Sequence, residues 1–82
     1  MEKYDITFRS VTYAQKGERI LKAKGMACFL RRTPRWMEAR GCGYALEVKN
    51  PMQAVKALRD AGAVWEKIYR RTGDRKMEVV EL

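Results

Sequence analysis

Two stretches of this chain place an alternating strand pattern directly before a helix start, and that repeated order restricts the fold more than any other feature. Apolar and polar residues alternate over residues 4–8 and again over residues 44–48, the period-two pattern of a half-buried strand. Ser10 follows the first stretch as a helix N-cap, and Asn50 with Pro51 follows the second as N-cap and first-turn proline. The predicted inward positions of the two strands are Tyr4, Ile6, Phe8, Tyr44, Leu46 and Val48.

Both predicted helices end at a glycine, Gly25 for the first and Gly62 for the second. Gly17 lies inside the first helix, where a glycine costs up to about 1 kcal/mol relative to alanine. It therefore either weakens that helix or marks close packing against a sheet. The predicted inner faces of the two helices are Val11, Ala14, Ile20, Leu21 and Ala23 in the first, and Met52, Val55, Leu58 and Ala61 in the second.

Three further strands are predicted, over residues 26–31, 64–71 and 76–82, with Thr72-Gly73-Asp74 as the turn before the last one. The resulting order, βαββαβ plus a terminal strand, predicts an α+β fold. A ferredoxin-like βαββαβ sandwich with an extra C-terminal strand accounts for this order with short connections and right-handed crossovers. The chain is too short for two cores, so residues 1–82 are expected to form a single domain, with residues 71–82 as a C-terminal hairpin extension.

The chain is strongly basic, because 18 Lys and Arg residues against 10 Asp and Glu residues give a formal net charge of +8. This charge attracts anionic partners and makes their binding sensitive to salt. The longest apolar run, residues 26–30, is far shorter than the ~18 residues that a membrane span needs. Since the N-terminal residues carry no secretory pattern, a soluble cytoplasmic protein without membrane contact is expected.

Cysteine and histidine usage restricts the chemistry. The chain has two cysteines, which do not form a C-x-x-C pair, and no histidine, so one chain cannot complete a tetrahedral zinc site. The lack of histidine also removes the Cys-His and Ser-His pairs of nucleophilic catalysis. Neither a metal nor another cofactor is therefore expected, and the chain is not predicted to be an enzyme, because it has no acid, base or metal constellation.

Cys42 is the residue best suited to chemistry. In a ferredoxin-like sheet the first and second strands run parallel, so residues 32–43 should lie near the N-terminus of the first helix, at Ser10. That helix end attracts anions, and the arginines around it add positive charge, which lowers the pKa of a nearby thiol. Gly41 and Gly43 leave the backbone around the sulfur open. The hypothesis is an exposed, activated thiol; the alternative is a small residue at a tight strand entry. The arginines are Arg31, Arg32, Arg35 and Arg40.

Cys28 is predicted to have a different role. It lies within an apolar strand, where a free cysteine usually packs as a small buried hydrophobic residue. In a hairpin of the second and third strands it should lie about three residues below Cys42, roughly 10 Å away at ~3.3 Å per residue. That distance is too long for a disulfide between the two cysteines.

Thr33-Pro34-Arg35, Cys42-Gly43 before a strand, Ala61-Gly62 and Ile68-Tyr69-Arg70 together resemble a family of small bacterial and archaeal selenium/sulfur carrier protein-like sequences. The resemblance spans residues 4–71, and its strongest element is the spacing from Thr33 to Gly43. Family members usually have serine where Gly41 stands, so activation here would depend more on arginines and backbone.

The resemblance implies a carrier whose Cys42 holds sulfur or selenium as a persulfide or selenosulfide and passes it from a donor protein to an acceptor protein. It leaves open whether the atom is sulfur or selenium. The residues expected to stabilise the thiolate or an anion are Arg35, Arg40, Ser10, Gly43 and Thr33.

Two other functions remain open at this stage. The first is a basic nucleic-acid-binding module, although Trp65 and Tyr69 are more typical of packing than of base stacking. The second is a small regulatory or assembly domain that acts through protein–protein contacts. In that case the terminal strand, Met77 to Leu82, is a candidate for edge pairing in a homo-oligomer.

Overall fold

The computed structural model of the chain describes residues 3–32, 43–73 and 76–80. These residues form two helices and five strands, which confirms the α+β prediction. The elements in chain order are β1 (Tyr4–Thr7), α1 (Val11–Ala23), β2 (Cys28–Arg32), β3 (Tyr44–Val48), α2 (Pro51–Asp60), β4 (Ile68–Gly73) and β5 (Lys76–Val80).

The five strands form one sheet in the order β2-β3-β1-β4-β5, and each neighbouring pair is antiparallel. Because β1 and β2 are both antiparallel to β3, they run parallel to each other. Thr7 of β1 and Arg31 of β2 both pair with Ala45 of β3. The C-terminal ends of β1 and β2 therefore lie at the same end of the sheet, as the sequence predicted.

Both helices pack against one face of the sheet, which we call the covered face; the other is the open face. One core cluster joins buried residues of α1 and α2 to alternate residues of the strands. The predicted inward strand residues Ile6, Phe8, Leu46 and Val48 are buried, and Tyr4 and Tyr44 pack against the same cluster. The remaining core residues are Ala14, Leu21, Cys28, Ala54, Val55, Ala57, Leu58 and Ile68.

Gly17 marks the closest approach of α1 to the sheet. A Cβ atom at this position would lie 2.9 Å from Phe8 Cζ and 3.2 Å from Leu46 Cδ1. The Phe8 ring thus occupies the space that any side chain at residue 17 would need. Sequence analysis gave two interpretations of Gly17, a weakened helix or close packing against the sheet, and the structure confirms the close packing.

The predicted helix boundaries are also confirmed. Ser10 Oγ accepts a hydrogen bond from Tyr13 N at 3.3 Å, and Asn50 Oδ1 accepts one from Gln53 N at 3.2 Å. Each bond satisfies an N–H group that the first helical turn leaves without an intrahelical partner. Past the helix ends, Gly25 and Gly62 have φ angles of 74° and 73°, a conformation that glycine adopts without steric cost.

The predicted inner faces of the helices were partly wrong. Met52 is 70% exposed and Val11 37% exposed, and Ala23 and Ala61 are exposed as well. In α2 the buried residues are Pro51, Ala54, Val55, Ala57 and Leu58. Proline and alanine carry a weak hydrophobic signal, so the large side chain of Met52 shifted the predicted face by one residue.

Strand boundaries needed correction too. The fourth strand begins at Ile68, not at Val64, because the preceding residues bond irregularly to the end of β1: Thr7 N donates to Lys67 O at 2.8 Å, and Glu66 N donates to Thr7 O at 2.8 Å. The second strand begins at Cys28 rather than at residue 26. The last strand is present over Lys76–Val80, and the end predicted for it at residue 82 lies outside the described residues.

Candidate functional site

The end of the sheet at which β1 and β2 finish also carries the start of β3 and the N-terminus of α1. Arg32, the last residue of β2, pairs with Tyr44, the first residue of β3. Ser10 follows β1 by three residues and caps α1. We call this region the Ser10 end and define it by Arg9, Ser10, Arg32, Gly43 and Tyr44.

The predicted site residues divide into two groups. Ser10 and Gly43 are described and lie at the Ser10 end, which is where the parallel course of β1 and β2 was expected to bring them. Their predicted roles toward an anion stay predictions. The other predicted site residues, Thr33, Arg35, Arg40 and Cys42, lie outside the described residues.

Gly43 leads the chain into β3 with a φ angle of 79°. This left-handed conformation is strained for a residue with a Cβ atom, by roughly 1–2 kcal/mol. The glycine after Cys42 is therefore required by backbone geometry where the hairpin strand begins. This requirement accounts for Gly43 without any ligand.

Two exposed arginines at the Ser10 end supply positive charge. The guanidinium of Arg32 lies 5.9 Å from the centre of the Tyr44 ring, in a cation–π contact. Arg9 is 78% exposed, and its Nε lies 3.8 Å from Glu66 Oε1, so it is only weakly paired. Sequence analysis predicted Tyr44 as an inward strand residue but gave neither Tyr44 nor Arg9 a role in the site. The pairing of Arg32 with Tyr44 would have indicated Tyr44, but it became visible only in the structure.

Arg31 contributes less positive charge to this region than its sequence position suggested. Its Nη1 donates to Glu47 Oε1 at 2.8 Å, and alternation along β2 directs the side chain to the open face. Because a carboxylate neutralises it there, Arg31 is not positioned as a free cation beside the start of α1. Arg32, which alternates to the covered face, remains exposed.

Cys28 is a core residue, as predicted. It is 4% exposed on the covered face, and its Sγ donates to the Glu18 carbonyl oxygen at 3.9 Å. Burial raises the pKa of this thiol above its ordinary value; the negative charge of Glu18 raises it further, while Lys22 lowers it. The net rise in pKa keeps the thiol protonated, and burial keeps the sulfur out of contact with a partner, so Cys28 is suited to packing and not to nucleophilic chemistry.

The register places Cys28 at the opposite end of β2 from Arg32. Cys28 pairs with Val48 and Arg32 pairs with Tyr44, so four strand positions, roughly 13 Å at ~3.3 Å per residue, separate Cys28 from the Ser10 end. The predicted separation of Cys28 from Cys42 stays a prediction, because Cys42 is outside the described residues.

The described part of the Ser10 end can attract an anion but has no group that would process one. It combines the start of α1, which bears a partial positive charge, with Arg9 and Arg32. Among the described residues, there is no cluster of three or more Cys, Asp or Glu side chains arranged to hold a metal ion. The same residues include no helix long and apolar enough to cross a membrane.

Comparison with known proteins identifies the family. A family model described as "Putative Se/S carrier protein-like" matches residues 3–70. The chain belongs to this family. The match confirms the resemblance seen in the sequence, and it extends across Cys28, the segment of residues 33–42 and β3. Searches among curated proteins and among solved structures found no match.

Proposed function

We propose that this protein is a thiol-based carrier that holds sulfur or selenium on Cys42 and delivers it to a partner protein. The observation that carries the proposal is the burial of Cys28, 4% exposed in the core, in a family member that has only two cysteines. If the family's carrier name applies to a cysteine of this chain, Cys42 is the remaining candidate. The chain carries the atom and does not itself catalyse turnover.

The transfer is a thiol exchange that needs no oxidant or reductant. The Cys42 thiolate attacks the terminal sulfur of a donor protein's cysteine persulfide, forming a new S–S bond to Cys42. The donor's own S–S bond breaks, and its cysteine leaves as a thiolate. Release to an acceptor repeats the exchange in the other direction. For selenium, the terminal selenium of a selenosulfide takes the place of the terminal sulfur.

The rate of this exchange depends on how much of the thiol is ionised at neutral pH. We propose that Arg35, Arg40 and Thr33 stabilise the thiolate or an anionic cargo. Ser10 and Gly43 would contribute through their position, since the helix start at Ser10 lies at the end of the sheet where β3 begins. Arg9 and Arg32 add to the positive charge in the same region.

The partners proposed are one donor protein and one acceptor protein in the cytoplasm. We further propose that the fold is a ferredoxin-like split βαβ sandwich extended by β5. The support for this is that β3 lies between the parallel strands β1 and β2, while β4 flanks β1 on its other side.

The test measures alkylation rates of both cysteines as a function of pH in the native protein, followed by persulfide loading from a cysteine-desulfurase donor. We expect an apparent pKa for Cys42 well below the ~8.5 of an ordinary cysteine, with Cys28 protected. Cys42→Ser should abolish loading, whereas Cys28→Ala should preserve it. A Cys42 that reacts no faster than a model thiol and takes up no sulfur would overturn the proposal.

Two arginine substitutions near Cys42 and one control elsewhere distinguish a local effect of Arg35 and Arg40 from the effect of lowering the net charge. Arg35→Gln and Arg40→Gln should each raise the apparent pKa of Cys42 and slow loading. Arg19→Gln removes the same charge from an exposed position on α1 and should leave both unchanged. Equal effects of all three substitutions would reduce the role of Arg35 and Arg40 to general electrostatics.

A further inference from the structure

Strand β2 forms one edge of the sheet. It pairs with β3 on one side through all five of its residues, Cys28 to Arg32, and among the described strands none lies on its other side. Its outward backbone N–H and C=O groups therefore have no strand partner among the described residues. Exposed edges of this kind are the usual template for pairing between chains.

The side chains of β2 are unusual for an edge facing water. Phe29 lies on the open face and is 62% exposed, one of the largest exposed apolar side chains that the structure describes. Arg31 lies on the same face, two residues along the strand. Leu30 alternates to the covered face, where it is half-buried against the core. Among the described residues, no further strand extends the covered core beyond the β2 edge.

We propose that two copies of this chain pair antiparallel along β2, with the two-fold axis at Leu30, to form one continuous ten-stranded sheet. In this register Phe29 faces Arg31 of the second copy, and Arg31 faces the second copy's Phe29. The two Leu30 side chains meet on the covered face and extend the core across the interface. This assembly is independent of the carrier function and does not use Cys42.

The side chains select this register over its neighbours. Centring the axis on Arg31 would oppose two guanidinium groups, which is destabilising. Centring it on Phe29 would pair fewer residues of β2 and leave Arg32 beyond the paired strand. The Leu30 register pairs all five residues and opposes no like charges. It also places an arginine across from each exposed aromatic ring, an arrangement that favours a cation–π contact.

Net charge distinguishes a second copy from other occupants of this edge. Each chain carries +8, so the two copies repel one another at low salt, and screening should strengthen the dimer as salt is raised. An acidic protein or a nucleic acid on the same edge would show the opposite salt dependence. The direction of the salt effect therefore reports which occupant β2 takes.

The test measures the dimer dissociation constant of the full chain by sedimentation equilibrium, from micromolar to millimolar protein, at low and at high salt. In the proposed dimer, Phe29→Lys places a lysine opposite Arg31 of the other copy, and the two-fold axis repeats this like-charge pair. Phe29→Glu places a glutamate at the same two positions, so both pairs become attractive. We expect the lysine variant to dissociate about tenfold more readily than the glutamate variant, because the two cross-strand pairs differ in sign. Circular dichroism and thermal unfolding check that both variants fold.

The matched control uses an exposed residue away from the edge. Met52, on α2, is 70% exposed, and Met52→Lys and Met52→Glu change the net charge by the same amounts. These two variants should dimerise alike. A chain that stays monomeric at all concentrations and both salt levels overturns the proposal. So does a dimer that is insensitive to the Phe29 pair, or one that is disrupted only by substitutions in β5.

Discussion

The two faces of the sheet have different compositions, although the same strands supply both. The covered face presents mostly apolar side chains, among them Ile6 and Leu46, each of which is fully buried. The open face presents Asp5 and Glu47 at directly opposed positions of β1 and β3. Hydrophobic burial under the helices therefore determines one face, whereas polar contacts between neighbouring strands determine the other.

Burial on the open face does not follow from the helix layer. Asp5 is only 2% exposed there, with Glu47 opposite it on one side and Tyr69 on the other. RNA-recognition sheets use the centre of this face for stacking aromatics. In this chain Asp5 and Glu47 occupy those positions, and Glu47 is paired with Arg31 at 2.8 Å. The centre of the open face therefore lacks the aromatic pair that the nucleic-acid alternative would need, despite the positive net charge.

The largest expected effect comes from emptying the covered face. Phe8→Ala should destabilise the protein by about 3–5 kcal/mol, because Phe8 is fully buried and its ring fills the space above Gly17. Phe29→Ala removes the same side chain from the open face, where it is 62% exposed, and should cost less than about 1 kcal/mol. Urea unfolding monitored by circular dichroism measures both. Similar losses of unfolding free energy in Phe8→Ala and Phe29→Ala would contradict the distinction between a buried covered face and an exposed open face.

The next effect tests how closely α1 approaches the covered face. Gly17→Ala should improve helix propensity by up to about 1 kcal/mol, yet we expect net destabilisation of about 1–3 kcal/mol because the new methyl group overlaps Phe8. Gln15→Ala, at an exposed position of the same helix, is the control and should be neutral or slightly stabilising. Combining Gly17→Ala with Phe8→Leu should recover part of the lost stability, because the smaller side chain makes room for the methyl group. A double-mutant cycle measured by thermal unfolding tests this.

Sequence patterns predicted the covered face well because burial leaves a regular signal. Period-two alternation located β1 and β3, and Ser10 and Asn50 identified both helix starts. The signal failed where small residues lie inside, as at Ala54, or where a large apolar residue lies outside, as at Met52. It also failed for the residues before Ile68, whose bonds to Thr7 depend on contacts distant in sequence.

The candidate site was predictable to a smaller extent. Parallel β1 and β2 follow from the order of the elements, so the meeting of Ser10 with the start of β3 could be anticipated. The partners of the arginines could not, because they depend on strand register and on which face each side chain takes. For this reason Arg31 bonds to Glu47 whereas Arg32 makes a cation–π contact with Tyr44, although the two arginines are adjacent in sequence.

A smaller effect is expected for the ion pair on the open face. Arg31→Gln should destabilise the protein by about 0.5–1 kcal/mol, since the pair is short at 2.8 Å but the arginine side chain is 40% exposed. A double-mutant cycle with Glu47→Gln isolates the coupling free energy between Arg31 and Glu47, and this coupling should become smaller as the salt concentration is raised. Coupling that is absent at low salt would mean that the open face is held by backbone bonding alone.

The smallest effect concerns the Cys28 thiol on the covered face and appears only at alkaline pH. Burial raises the pKa of Cys28 in the folded protein, so above about pH 8.5 the unfolded chain releases this proton first and binds fewer protons than the folded chain. The contribution of Cys28 to stability is therefore complete below that pH and declines as pH rises toward the folded-state pKa. The difference in unfolding free energy between the wild type and Cys28→Ala should narrow over this range, as measured by urea titrations at successive pH values. Cys42 is present in both proteins, so its contribution to the pH dependence cancels in the difference.

A difference in unfolding free energy that stays constant up to strongly alkaline pH would mean that water reaches the Cys28 sulfur in the folded state. The covered face would then be less tightly closed at the β2 edge than its packing indicates.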